Sequence, residues 1–137
     1  LHLSLRRQRQ MCIRDRCNVL QTNGYTVTLG WKQWEEVKIS VCYDYIGRIM
    51  NNLLSNLLKY ADKTKEILLD MGICQDEFFF SIMNAAANKE QDHRGTGIGV
   101  HNIEIMMEQM QGRCEEECGE ESYRICLYFP FEKSENS

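Results

Sequence analysis

The chain has 137 residues, of which 43% are hydrophobic and 26% are charged, and its formal net charge is -4. This length supports one compact domain with a core and is too short for two. A mean hydropathy of -0.46 and the lack of any apolar run of roughly 20 residues argue against a membrane span, and the acidic balance argues against a nucleic-acid-binding surface.

Residues 1–16 differ from the rest of the chain in charge. They contain five arginines and one aspartate, a local balance of +4, which leaves -8 for residues 17–137. The string Met-Cys-Ile-Arg-Asp-Arg at 11–16 resembles a translated sequencing adapter, so we expect residues 1–16 to be a non-native leader. Residues 17–131 then form the folded domain, and residues 132–137 form a polar tail.

The elements are predicted from hydrophobic periodicity and turn residues. A turn at Asn23-Gly24 predicts a strand over 24–29, and a second short strand is expected over 36–41. Apolar pairs recur at helical spacing from Asp44 to Ala61. Strands over 66–71 and 77–83 are expected to be antiparallel neighbours, followed by a loop over 88–96, a helix over 97–111 and a last strand over 122–129 that ends at Pro130. The acidic run 115–121 is expected to be a solvated turn. This order predicts an α+β fold with helices on one face of a mixed sheet.

The first long helix carries two amides at the margin of its apolar face. At ~100° per residue, Asn56 falls ~20° inside the apolar arc, and Asn52, one turn earlier, lies at its edge. A buried amide without a partner costs roughly 1–3 kcal/mol. A hydrated Mg²⁺ that bridges phosphates would satisfy the amide oxygen. The alternative is that both amides cap backbone groups or fill a polar niche in the core.

The second helix opens with the glycine-rich string Gly95-Thr96-Gly97-Ile98-Gly99-Val100. Alternate glycines let backbone N–H groups approach an anion, and a helix N-terminus favours negative charge. The string is not a Walker loop, because no Gly-Lys-Ser/Thr follows it, and no strand directly precedes it as a dinucleotide fingerprint requires. By itself, it is also compatible with a flexible loop that ends at a helix.

In this order, the two segments resemble the ATP-binding domain of sensor histidine kinases. Residues 52–60 read Asn-Leu-Leu-Ser-Asn-Leu-Leu-Lys-Tyr and resemble the N box of that family, NLLxNAxKY. Residues 95–100 resemble its second glycine box, GTGLGL. The resemblance covers about residues 24–131 and implies a two-layer α/β sandwich, with a mixed, mostly antiparallel sheet and helices on one face.

The resemblance also implies a site for ATP and Mg²⁺. In that site Asn56 coordinates the metal, Asn52 supports the metal and phosphates, and Lys59 and Tyr60 approach the phosphates and the nucleotide. The glycines admit phosphate oxygens to backbone donors, and residues 88–94 form a short ATP lid. The implied nucleotide-binding residues are Asn52, Asn56, Lys59, Tyr60, Asn84, Gly95, Thr96, Gly97, Ile98, Gly99 and Val100.

Two features depart from the family pattern. Where the first glycine box, DxGxG, is expected, residues 84–88 read Asn-Ala-Ala-Ala-Asn. Asn84 therefore replaces the aspartate that accepts a hydrogen bond from adenine, and a neutral acceptor makes that bond about half as strong. In addition, none of His2, His93 and His101 lies in an HExxxP-like segment, so the phospho-acceptor histidine is expected on another segment or on a partner.

The seven cysteines include no CxxC pair, and no histidine lies near Cys114 and Cys118 in sequence. We therefore predict no zinc site. An odd number of cysteines without a secretion signal fits a reducing cytosol. We therefore expect a cytoplasmic domain, which is compatible with a membrane anchor elsewhere in the parent protein.

Three functions compete at this point. The leading interpretation is the ATP- and Mg²⁺-binding catalytic domain of a bacterial two-component sensor kinase. Its partners would be the histidine-bearing dimerisation domain of the parent kinase and, through that kinase, a response regulator. The alternative is a non-catalytic interaction module of the same fold, marked by the degenerate first glycine box. A gyrase or mismatch-repair type ATPase is disfavoured, because those enzymes carry a catalytic glutamate early in the equivalent helix and residues 48–52 offer none.

Overall fold

The computed structural model describes residues 2–4, 14–30, 38–85 and 98–132. Its helices are α1 (Arg14–Thr22), α2 (Tyr43–Tyr60) and α3 (Ile98–Gln109). Its strands are β1 (His2–Ser4), β2 (Val27–Leu29), β3 (Lys38–Ser40), β4 (Ile67–Cys74), β5 (Glu77–Ala85), β6 (Arg113–Cys118) and β7 (Ser122–Glu132). No helix in these parts of the chain is long and apolar enough to cross a membrane.

The strands form one mixed sheet in the spatial order β1-β3-β7-β5-β4-β2, and β6 also pairs with β7. Only β2 and β4 pair in parallel among the described strands. The remaining pairs are antiparallel, including the predicted neighbours β4 and β5. The predicted mixed, mostly antiparallel α+β fold is confirmed.

The core lies between one face of the sheet and the helices. Alternate residues of the central strands are buried there, namely Ile67, Leu69, Met71, Phe78, Phe80, Ile82, Ile125, Leu127 and Phe129. Helix α2 contributes Ile46, Ile49, Met50, Leu53 and Leu57, and α3 with its C-terminal turn contributes Ile103, Met107 and Met110. All of them belong to one hydrophobic cluster. The buried residues recur with a period of 2 in the strands and of 3.6 in the helices, and both sets face this single core.

Helix α1 was not predicted from the sequence. Its Leu20 is only 2% exposed, and Cys17 packs against the core. The Asn23-Gly24 pair ends this helix: Gly24 has a φ of 90°, and the Tyr25 N–H donates to the Leu20 carbonyl oxygen at 3.0 Å. This helix closure favours glycine, and it explains why β2 begins at Val27 rather than at residue 24. The division of the chain at residue 16 stays a prediction.

The acidic run 115–121 was predicted as a turn, which is correct for residues 119–121 and wrong for residues 115–118. Residues 113–118 form β6, and Cys114 and Cys118 on this strand pack against the core. The three glutamates between them are exposed, and Arg124 pairs with Glu117 at 3.5 Å. Charged residues suit a strand at the edge of a sheet, because they discourage pairing with another chain.

Pro130 does not end the last strand, contrary to the prediction. Strand β7 continues to Glu132, and its neighbour changes along its length. β6 pairs with β7 as far as Tyr128, and β3 pairs with it from Phe131. Pro130 falls between these two partners, where the missing N–H of proline is tolerated.

Candidate functional site

A narrow pocket lies between α2, the start of α3 and strands β5 and β7. It is lined by Leu53, Asn56, Leu57, Tyr60, Ile82, Asn84, Val100, Tyr123 and Ile125. Its cavity volume is about 30 Å³, which is room for roughly one or two water molecules. A ligand the size of a purine ring therefore requires side chains of the lining to move.

Helix spacing explains the α2 side of the pocket. Asn56 and Tyr60 are one turn apart and point to the same side of the helix, as Leu53 and Leu57 do beside them. Asn56 is half-buried, as expected from its position inside the apolar arc. Among the described residues, the structure gives its amide no hydrogen-bond partner.

Asn84 supplies the polar group at the bottom of the pocket. Its side chain is 7% exposed, and its Nδ2 donates to the Ala85 carbonyl oxygen at 3.1 Å. The same oxygen accepts a hydrogen bond from the Asp62 N–H at 2.9 Å, directly after α2. The amide orientation is thus fixed by the backbone that joins β5 to the end of α2, and Oδ1 has no donor among the described residues.

Tyr123 forms the wall opposite α2. It is the cross-strand partner of Asn84, so both side chains lie on the helix-covered face of the sheet. Its hydroxyl donates to the Glu116 carboxylate on β6. Burial, followed by this hydrogen bond, raises the pKa of Tyr123 well above its ordinary value, so the ring is neutral at physiological pH.

The described residues contain no group of three or more histidine, cysteine, aspartate or glutamate side chains that could hold a metal ion. That the cysteines form no zinc site stays a prediction. The pocket offers amide oxygens as metal ligands. These oxygens suit a hard cation such as Mg²⁺, which also keeps water and phosphate ligands.

The structure brings four of the predicted nucleotide-binding residues together. Asn56, Tyr60, Asn84 and Val100 all line the pocket. Asn52 is half-buried and Lys59 is exposed on α2, and neither lines it. Ile98 and Gly99 lie in the first turn of α3, whereas Gly95, Thr96 and Gly97 and the predicted lid over 88–94 lie outside the described residues. The individual roles of all these residues stay predictions.

The apolar walls were missed as site residues. Leu53, Ile82 and Ile125 read in the sequence as ordinary core positions, and Tyr123 as part of a strand. Only the pairing of β5 with β7 places Tyr123 beside Asn84. The available signal was the polar Asn84 at the buried end of an otherwise apolar strand.

A larger concavity of about 640 Å³ lies between the start of α2 and the end of α3. It is wide open and contains none of the predicted site residues. Two of its polar side chains bond each other, since the Tyr45 hydroxyl donates to Gln109 Oε1 at 2.5 Å. The narrow pocket is therefore the better candidate for a specific ligand site.

Comparison with known proteins points to one protein class. The sensor histidine kinase YrkQ of Bacillus subtilis (strain 168) is 29% identical over 117 residues, which is 85% of this chain and 27% of YrkQ. The catalytic domain of histidine kinase ThkA superposes with a TM-score of 0.73 at 12% identity, covering 95% of each chain. By sequence and by fold, this chain resembles a histidine kinase catalytic domain.

Another histidine kinase has the same fold. AdeS of Acinetobacter baumannii superposes on the histidine-kinase-like chain with a TM-score of 0.71 at 10% identity, covering 97% of this chain and 68% of AdeS. No protein-family model matches the sequence. The chain spans about a quarter of the length of YrkQ.

Proposed function

We propose that this histidine-kinase-like domain binds ATP with Mg²⁺ and forms the catalytic part of a bacterial two-component sensor kinase in the cytoplasm. The observation that carries the proposal is the pocket in which Asn56, Asn84 and Val100 meet. Val100 is the last residue of the glycine-rich string, so the helix that carries Asn56 and the end of the string expected to hold phosphates border one cavity.

The pocket offers both apolar and polar contacts. Leu53 on α2 and Ile82 and Ile125 on the sheet offer apolar contacts to a nucleobase, and Asn84 at the bottom offers hydrogen bonds to its edge. Asn56 lies on α2, on the same wall as Leu53. The N-terminus of α3 supplies backbone N–H groups and a favourable dipole for phosphate.

The work of this chain is to bind and orient the nucleotide. When bound, Mg²⁺ neutralises charge on the β- and γ-phosphates, and the Asn56 amide oxygen is the side-chain group proposed to hold it. Asn52 and Lys59 lie on the same helix and are proposed to support the metal and phosphates. The chain orients the γ-phosphate towards a histidine on the dimerisation domain of the parent kinase. Through that kinase, its further partner is a response regulator.

Calorimetric titration of the purified chain with Mg-ATP tests the proposal. Binding in the micromolar-to-millimolar range is expected, and Asn56→Ala should weaken it by about 10-fold or more, because an oxygen ligand is lost from a charged complex. Asn51→Ala is the matched control. Asn51 is an exposed asparagine on the same helix whose Oδ1 accepts from Arg16 at 2.9 Å, so its removal should leave the affinity unchanged.

The same titration distinguishes the proposed ATP-binding function from the alternative. Absence of heat at high ATP concentration, with the protein folded by circular dichroism, would favour a non-catalytic interaction module. Equal weakening by Asn56→Ala and Asn51→Ala would contradict the proposed site, because only one of these asparagines lines the pocket.

A further inference from the structure

One of the side chains that line the pocket is a buried amide. Among the described residues, the buried polar side chains are Ser81 and Asn84, and only Asn84 lines the pocket. Its Nδ2 carries two N–H groups, one of which donates to the Ala85 carbonyl oxygen. The other N–H and Oδ1 have no partner in the described parts of the chain. An unmet buried polar group is unfavourable, so the remaining N–H and Oδ1 are available to a ligand or to a water molecule in the pocket.

An amide reads the edge of a base differently from a carboxylate. An ionised carboxylate only accepts hydrogen bonds, whereas an amide both donates and accepts. Adenine carries an amino donor at C6, and guanine carries an oxo acceptor there. The Asn84 side chain can accept from the amino group with Oδ1 and can donate to the oxo group with its remaining N–H.

Asn84 is the buried amide among the polar side chains of the pocket. Leu53, Ile82 and Ile125 carry no side-chain hydrogen-bonding group, and the Tyr123 hydroxyl already donates to Glu116. The other polar lining residues, Asn56 and Tyr60, are half-buried on α2. We infer that Asn84 makes the pocket accept both 6-amino and 6-oxo purine nucleotides, so that its ligand class is purine nucleoside triphosphates rather than ATP alone. This inference rests on the proposed function, because it names the base that the proposed nucleotide site reads.

Calorimetry with the wild-type chain and Mg²⁺ complexes of ATP and ITP tests the inference. ITP has the 6-oxo group of guanine without its 2-amino group, so it probes C6 alone. The two affinities are expected to lie within about 10-fold of each other. Asn84→Asp should widen the ratio in favour of ATP by about 10-fold or more, mainly by weakening ITP, because two acceptors then face each other.

The triphosphate of purine riboside, which has only hydrogen at C6, provides a test that needs no variant. It should bind more weakly than both ATP and ITP, and equal binding of all three would show that Asn84 does not read C6. A wild-type preference for ATP over ITP of more than about 100-fold would overturn the inference while the proposed function stands. An unchanged ratio in folded Asn84→Asp would also overturn it. If no nucleotide binds, the proposed function itself fails.

Discussion

At the scale of single residues, burial sets the chemistry of the cysteine side chains. Cys114 on β6 is half-buried against the core, and Cys74 at the end of β4 is exposed. Burial, helped by the charges of Glu104 and Glu116, raises the pKa of the Cys114 thiol to about 12 from an ordinary 9.0. The neutral thiol is therefore the form that the folded chain favours.

Cys114 should resist alkylation. Its raised pKa makes the reactive thiolate about 1000-fold rarer at pH 8 than for an ordinary thiol, which outweighs the higher nucleophilicity of a more basic sulfur. Timed iodoacetamide labelling with peptide mass spectrometry should show Cys74 modified at least about 10-fold faster than Cys114. Labelling in urea is the control, because unfolding should equalise the two rates; equal rates in the folded protein would contradict the assigned environment.

The same shift has a consequence for stability at high pH. A thiol whose folded pKa lies above its unfolded value stabilises the fold fully below pH 9.0. Between that value and about 12 the unfolded chain releases its proton first, so this contribution is lost as the pH rises.

Single residues of the site were predictable where a local rule governs them. Asn56 was identified because it interrupts an apolar helix face, and Asn84 because it stands where a family motif is expected. Tyr123 was not identifiable, because its place beside Asn84 depends on a strand pairing between residues almost 40 positions apart.

At the scale of elements, helix α3 ends in an unusual way. Gln111 has a φ of 62°, and the Gly112 N–H donates to the Met107 carbonyl oxygen at 2.8 Å. The left-handed position that usually holds glycine is thus occupied by glutamine. The following Gly112 has no room for a side chain, since a Cβ there would lie 2.5 Å from the Tyr128 carbonyl oxygen.

Gln111→Gly should stabilise the protein by about 0.5–1 kcal/mol, because glycine adopts a positive φ without steric cost. Urea unfolding measures the change. Gln21→Gly is the matched control: Gln21 is exposed within α1, so glycine there should destabilise by about 1 kcal/mol. A loss of stability in both variants would contradict the left-handed assignment of Gln111.

Most elements followed from periodicity, and the errors occurred where tertiary context decides. The long helix α2 and the strands β4 and β5 carry strong patterns, and their bounds came within a few residues. Strand β6 was missed because three of its residues are glutamates, whose exposure is compatible equally with a turn and with an edge strand. Its long-range pairing with β7 decides between these two and makes it a strand.

At the scale of the whole molecule, helix α1 packs into the same core as the other elements of the domain. It was not expected from the sequence, yet Leu20 joins the cluster that also holds Leu53 and Leu57 of α2. The Tyr25 hydroxyl, just after α1, donates to the Leu58 carbonyl oxygen at 3.2 Å. These contacts tie α1 to the helix that forms one wall of the pocket.

Leu20→Ala should destabilise the domain by about 2–4 kcal/mol, because it opens a cavity in the common core. Its neighbour Val19 is 39% exposed, so Val19→Ala should change stability by less than about 0.5 kcal/mol. Urea unfolding followed by circular dichroism compares the two. Equal, small effects would show that α1 lies outside the cooperative unit.

One carbonyl oxygen links the two walls of the pocket energetically. The Ala85 oxygen receives both the backbone N–H that follows α2 and the side-chain amide of Asn84. Fraying of the helix terminus would remove one of these donors, and the Ala85 carbonyl that orients Asn84 would then be held in place less firmly. Ligand contact with the amide would therefore also oppose fraying, and heat-induced loosening of that terminus would lower the affinity before the domain as a whole unfolds.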